Sequence, residues 1–316
     1  MASIIRFFSK RFRRNTSAPT PSHVDEAIYV NKSRKAKKSG LECKVAYLDG
    51  TEQTFYVSKH AKGSELYDIA FAYVALVEEK DYFGLQFFNE VPMWLDPTKE
   101  IKKQYKNRTS ISFALRVKFF ASDPHNLHDE YTRYLVVLQL RDDIQKGKLV
   151  CNDLQLAAEL AALLLQGEFG DFDRKQHTPL FVSTFRFLPE EKQTEEFELS
   201  VLDKYEALVG RNLTPAIAES IYLEKVCLLP DYGVEMHSVK GKDNALYSLG
   251  LTPTGILVYE GENKIGLFFW PKILKLEMKK DKLKIAVADE DEKSLNFIGA
   301  RILLAVRICR SMIPTC

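Results

Sequence analysis

The chain has 316 residues, 46% hydrophobic and 28% charged, which allows about two domains of ~150 residues or several smaller lobes and excludes a disordered or fibrous protein. The net charge of +2 is uneven, with +8 on residues 1–40 and −6 on the remainder. Five cysteines without short paired spacing, and no uncharged apolar run as long as the ~18 residues of a membrane span, exclude a disulfide framework, a zinc-finger pattern and a transmembrane helix.

Residues 1–14 interleave Ile4, Ile5, Phe7, Phe8 and Phe12 with Arg6, Lys10, Arg11, Arg13 and Arg14. On a helix the aromatic residues share a broad face, the pattern of a segment that lies on an anionic bilayer. A structureless leader and an organelle-targeting peptide, which is also Arg-rich and acid-poor, fit the same composition. Residues 15–39 carry scattered Pro, Ser and Thr and a second basic run, and read as a solvated linker.

From Leu41 two alternating segments are joined by the turn Asp49-Gly50. A helix follows Gly63-Ser64, with Leu66, Ile69, Ala70, Tyr73, Val74 and Val77 on one face. Short strands are expected over residues 82–88, 93–95 and 112–119, which completes a ubiquitin-like roll. Phe113, Leu115, Val117 and Phe119 alternate, and Asp123-Pro124 ends that strand. The period then changes, and Leu127, Tyr131, Tyr134, Leu135 and Leu138 form a helical stripe that ends near Gly147. Asp153 caps a further helix, residues 195–208 carry another, and Thr214-Pro215 opens the last. After Pro230 the period returns to 2 through many short strands, as in a sandwich or partly open barrel. The expected fold class is thus α+β and multi-lobed.

The strings Trp94-Leu95-Asp96-Pro97-Thr98-Lys99 with Ile101 and Gln104, and Val117-Lys118-Phe119-Phe120-Ala121-Ser122-Asp123-Pro124, resemble the signature of FERM domains. So do Ala218-Glu219, Tyr222-Leu223 and Tyr232-Gly233-Val234. Including Asp81-Tyr82-Phe83-Gly84-Leu85, Gly170-Asp171-Phe172-Asp173 and Gly250-Leu251-Thr252-Pro253-Thr254-Gly255, the match looks most like the Yurt type of the band 4.1-like branch. This resemblance implies a ubiquitin-like first lobe at 41–121, an acyl-CoA-binding-protein-like helical second lobe at 122–229 and a pleckstrin-homology-like third lobe at 230–316, behind a basic tail at 1–40. It further implies a non-enzymatic adaptor between membrane and cytoskeleton, at the cell cortex or junctions and with roles in polarity. Its partners would be anionic phospholipid, cytoplasmic tails of membrane proteins and, indirectly, cytoskeletal proteins. A cytosolic regulatory scaffold is the alternative.

Among relatives a phosphoinositide headgroup sits between the first and third lobes, and Lys59 and Lys62 resemble the first-lobe contributors. Where some relatives offer third-lobe lysines, this chain has Asp289-Glu290-Asp291-Glu292, which repels a phosphate and favours diffuse attraction over a pocket. Lys99, Lys102, Lys103, Lys106 and Arg108 read as solvated loop charge. Residues 299–316 resemble nothing in the family, which suggests a truncated or divergent third-lobe ending with an impaired peptide groove.

No phosphate loop, nucleophile elbow or H-E-x-x-H pair is present, so no catalysis and no cofactor are expected. His125, His128, Asp129 and Glu130 are placed to cap a helix rather than to hold a metal, and Asp171-Phe172-Asp173 reads as a turn. Trp94 and Trp270 read as core residues. The acidic body argues against nucleic acid as a partner.

Overall fold

The computed structural model describes residues 40–89, 91–105, 110–241, 243–252, 255–261, 263–279, 282–288 and 294–298. The chain divides into two compact units, Met1–Tyr232 and Gly233–Cys316.

The first unit opens with β1 (Leu41–Ala46) and β2 (Glu52–Val57), then α1 (Gly63–Tyr73), β3 (Phe83–Asn89), β4 (Val91–Trp94), a one-turn helix α2 (Ile101–Gln104) and β5 (Ser110–Val117). The sheet order is β2-β1-β5-β3-β4, with β1 and β5 parallel and the other pairs antiparallel. α1 covers one face, burying Leu66, Ala70 and Phe71. Trp94 is buried, as its apolar strand suggests, and Lys118 lies over its ring.

A 3-10 turn at Pro124–Asn126 then leads to α3 (Glu130–Gln145). The helix starts three residues later than the stripe from Leu127 implies. Asp129 is the cap, its carboxylate accepting the Thr132 N–H at 2.9 Å. Leu127, already buried, belongs to the preceding turn. The bundle continues with α4 (Leu154–Phe169), the short α5 (Pro179–Ser183), α6 (Glu195–Glu206) and α7 (Pro215–Val226). Threonines at 178, 194 and 214 cap α5, α6 and α7 through their hydroxyls.

The roll and the bundle share one continuous core, running from Leu41 through Leu115, Tyr134 and Leu138 to Leu229. Both ends of α3 are tied to the roll. At its start Glu79, a first-lobe residue held at φ 50°, accepts the N–H groups of His128 (2.8 Å) and Asp129 (3.3 Å). Near its end Asp142 pairs with Arg116 of β5 (3.0 Å) and with Lys146 (2.7 Å). Burial pushes the Asp142 pKa up, but these two cations outweigh it and hold the carboxyl below its ordinary range.

The second unit contains β6 (Glu235–Gly241), β7 (Leu246–Leu251), β8 (Gly255–Glu260), β9 (Asn263–Phe269), β10 (Ile273–Lys279), β11 (Lys282–Val287) and β12 (Ser294–Ile298). They form one antiparallel sheet ordered β10-β11-β12-β6-β7-β8-β9. Val239, Leu249, Leu251, Ile256 and Val258 share a small core with Leu276, Leu283, Ile285 and Val287. Trp270 is also buried there, its indole N–H donating to the Thr252 carbonyl at 3.0 Å.

Candidate functional site

Among the described residues, no group of His, Cys, Asp and Glu is placed to hold a metal, and no helix is long and apolar enough to cross a membrane. His125 instead bonds Asp123 (2.8 Å) and approaches Glu224 of α7 (3.5 Å). Asp173 is spent on its own turn, accepting from the Lys175 N–H and the Gln176 side chain. Two cavities beside the buried Arg141 each measure about 10 Å³, room for a water at most. The feature that remains is a surface of positive charge.

That surface is built by two short segments, residues 58–63 and 96–104, which the main chain stitches together. Gly63 donates to the Lys99 carbonyl (2.9 Å), Ser64 to that of Pro97 (3.0 Å) and Ile101 to that of Ala61 (3.0 Å). Lys62 and Glu100 form an antiparallel bridge at the crossing. The approach is tight enough that a Cβ on Gly63 would collide with the Asp96 carbonyl oxygen. Gln104 braces the same turn, donating to the carbonyls of Asp96 (2.9 Å) and Lys99 (3.1 Å) while accepting the Asp96 N–H (2.7 Å).

Lys59, Lys62, Lys99, Lys102 and Lys103, all exposed, are carried by these two joined segments. Lys99 pairs with Asp96 (2.6 Å) and Lys103 with Glu100 (2.8 Å). The hydrogen bond from Lys103 lowers the Glu100 pKa, so this acid stays charged inside the patch. Lys59, Lys62 and Lys102 make no ion pair among the described residues and supply its outward field.

The start of α1 lies inside this patch, and a helix N-terminus is a ready phosphate site when its N–H groups are open. Here they are taken. Lys62 N–H donates to the Glu65 carboxylate (3.0 Å), Gly63 and Ser64 donate to the neighbouring segment, and Glu65 N–H donates to the Lys62 carbonyl (3.1 Å). A carboxylate thus stands where a bound phosphate would need donors. The start of α1 therefore offers an anion no main-chain cradle.

The sequence singled out Lys59 and Lys62 but treated Lys99, Lys102 and Lys103 as loop charge. The structure unites them and places residues 101–104 in α2. The remaining tail candidates, Arg6, Lys10, Arg11, Arg13 and Arg14, lie outside the described residues. So do Lys106, Arg108, the acidic run 289–292 and residues 299–316. The missed lysines had one sequence signal, the glycine at 63, which permits the close crossing but does not say what crosses.

Three family models match the chain: the FERM N-terminal domain at residues 45–107, the FERM central domain at 122–237 and the FERM C-terminal PH-like domain at 241–316. The last runs through residues 299–316, which the sequence reading had set apart from the family. Human "Band 4.1-like protein 2" is 40% identical over 268 residues, covering 83% of this chain and 26% of that protein. Human "Protein 4.1" is 37% identical over 284 residues, covering 89% of this chain and 32% of its own length. Human "Tyrosine-protein phosphatase non-receptor type 4" is 35% identical over 287 residues, with 90% and 30% covered. The chain therefore spans about a quarter to a third of these relatives, and the phosphatase name does not transfer with the matched part. Among solved structures, the complex of the FERM and C-terminal domains of Drosophila Merlin superposes with a TM-score of 0.73. It is 22% identical, covering 85% of this chain and 94% of that one, a likeness of fold.

Proposed function

The chain belongs to the FERM family, and from that premise we propose that it is a non-enzymatic adaptor docking on anionic membrane surfaces and joining cytoplasmic tails of membrane proteins to the cytoskeleton. Within the family we place it in the Yurt-type band 4.1-like branch, with a role at the cell cortex or junctions and in polarity. The observation that carries the membrane part of this reading is the exposed patch of Lys59, Lys62, Lys99, Lys102 and Lys103. In the full chain the basic tail, with Arg6, Lys10, Arg11, Arg13 and Arg14, adds a second electrostatic contact, each cation near the surface contributing about 1 kcal/mol. The spent N-terminus of α1 supports recognition of surface charge rather than of one headgroup. Asp96, Glu100 and Glu65 beside the lysines disfavour the continuous basic track of a nucleic-acid surface.

The test is co-sedimentation of the full chain with phosphatidylserine-containing and pure phosphatidylcholine vesicles over a range of salt. Binding is expected for the anionic vesicles alone and falls steeply with ionic strength, because exposed charges are screened within ~8 Å at physiological salt. K59E/K62E, and neutralising Arg11, Arg13 and Arg14, should each weaken it. Equal binding to both vesicle types would overturn the mechanism.

A further inference from the structure

A polar atom taken out of water without a partner costs free energy, so a buried hydroxyl that no group of the protein serves calls for a bound molecule. Tyr222 carries such a hydroxyl. It lies on the buried stripe of α7 with Ala218 and Val226, at 1% exposure, and its Oη makes no hydrogen bond among the described residues. Burial raises its pKa well above the ordinary tyrosine value, against the opposing pull of Arg141, so the phenol keeps its proton. It is therefore equipped both to donate one hydrogen bond and to accept.

Space for a partner lies beside it. Of the two cavities of about 10 Å³ next to Arg141, one is lined by Tyr222 and the other is not. The first sits where α3, α4, α7 and the segment after α5 converge, with Ile144, Leu160, Leu164, Phe187 and Leu188 among its walls. Arg141 and Tyr222 are the two polar side chains that line it; the rest are apolar. A guanidinium has five N–H donors, so Arg141 can serve the cavity as well as its other interactions. A water needs about 10–15 Å³ of such space and two to four polar partners. The cavity meets both conditions at their lower limit, and a chloride ion or an organic molecule is larger.

We propose that one water molecule is bound in this cavity, accepting a hydrogen bond from an Arg141 N–H and joined by a second to the Tyr222 hydroxyl. The water ties α7 to α3 through the middle of the bundle. Its apolar walls are themselves buried, so it exchanges with solvent only when the helices part. Its residence time thus reports a local opening of the bundle, a motion distinct from global unfolding. This inference does not depend on the membrane reading.

Magnetic relaxation dispersion of water oxygen-17 counts long-lived internal waters and tests the proposal on the full chain. Tyr222→Phe keeps the ring and removes the hydroxyl, and a single remaining polar partner does not hold a water. The variant should therefore show one long-lived water fewer than the unaltered chain, with its circular dichroism unchanged. An equal count in the two proteins overturns the proposal. If the variant does not fold, a high-resolution crystal structure of the unaltered chain decides. One water is expected within about 3 Å of both the Tyr222 Oη and an Arg141 nitrogen. A cavity without density, or a water that misses either group, overturns the proposal. Crystals grown in bromide identify the occupant: an anomalous peak in the cavity would assign it to an anion held by Arg141 and would overturn the proposal as well.

Discussion

The two compact units bury apolar residues in different ways. In the first, a five-stranded roll and a helical bundle, two folds by any topological description, are fused through one core that runs from Leu41 to Leu229. In the second, a seven-stranded sheet closes over a small core of its own. The boundary between folds is therefore not the boundary between cooperative units. Where Val117 leads through the Pro124–Asn126 turn into α3, the core continues across the change of architecture. Stability is expected to be partitioned accordingly, because small cores leave small margins.

The largest effects should come from cavities cut in each core. Leu138→Ala in α3 and Leu283→Ala in β11 both empty sites with 0% exposure, and such truncations cost about 2–5 kcal/mol. In calorimetry Leu283→Ala should abolish a separate transition of the second unit while the first still melts, whereas Leu138→Ala should lower the first without dividing it. One transition lost in both variants would refute the partition. A smaller effect is expected at the ties on α3. Glu79→Ala and Arg116→Ala each remove charge-assisted hydrogen bonds and should cost about 1 kcal/mol. Roll and bundle should nevertheless continue to melt together, since the shared core couples them. Two resolved transitions in the double variant would transfer that role to the ties.

The smallest effects are those of pH, and two histidines of the first unit give them opposite sign. His177 sits among Phe169, Phe172, Phe181 and Tyr205, and its Nδ1 accepts the Asp173 N–H at 3.0 Å. Desolvation lowers its pKa against the opposing pull of Asp173. The folded state thus binds this proton less readily than the unfolded state. Stability from His177 is complete above the ordinary histidine value of about 6.5 and is lost as pH falls below it. His125 is exposed, and its hydrogen bond to Asp123, with help from Glu224, raises its pKa. Its contribution is present below about 6.5 and is lost as pH rises through the folded value. Thermal midpoints between pH 5 and 8 should flatten on the acid side in His177→Asn and on the neutral side in His125→Gln. The reverse assignment would show that the two environments had been exchanged.

Much of this fold is legible in the sequence because its signals are local. The alternation through Leu115 and Val117, the caps at Asp153 and Thr214 and the glycine turn at Asp49-Gly50 depend on neighbours within a few residues. The FERM strings then order those pieces. Legibility fails where distance along the chain separates residues that meet in space. α5 is five residues long, too short for a helical period to show. Leu127 fits the helical stripe yet closes a 3-10 turn, because the proline at 124 sets the backbone before the cap at Asp129. At the candidate site Lys59 and Lys102 lie 43 positions apart and become one surface through main-chain bonds that no side-chain pattern announces. Likewise the place of β2 at one end of its sheet, among the described residues, is a property of strand order, which the hydrophobic pattern of the strand does not contain.

The crossing at Gly63 bears on who must move when charges meet. Because the two lysine-bearing segments are bound to each other through backbone at a point with no space for a side chain, the stems of their cations start from fixed positions. A fluid layer of anions has no such fixture. Were the protein to dock on such a layer, as proposed, the ordering needed to match the two patterns would fall mainly on the lipids, which would gather beneath it and surrender lateral freedom. Docking would then sort the lipids around it, and a second molecule arriving nearby would meet a surface already enriched in the charge it seeks.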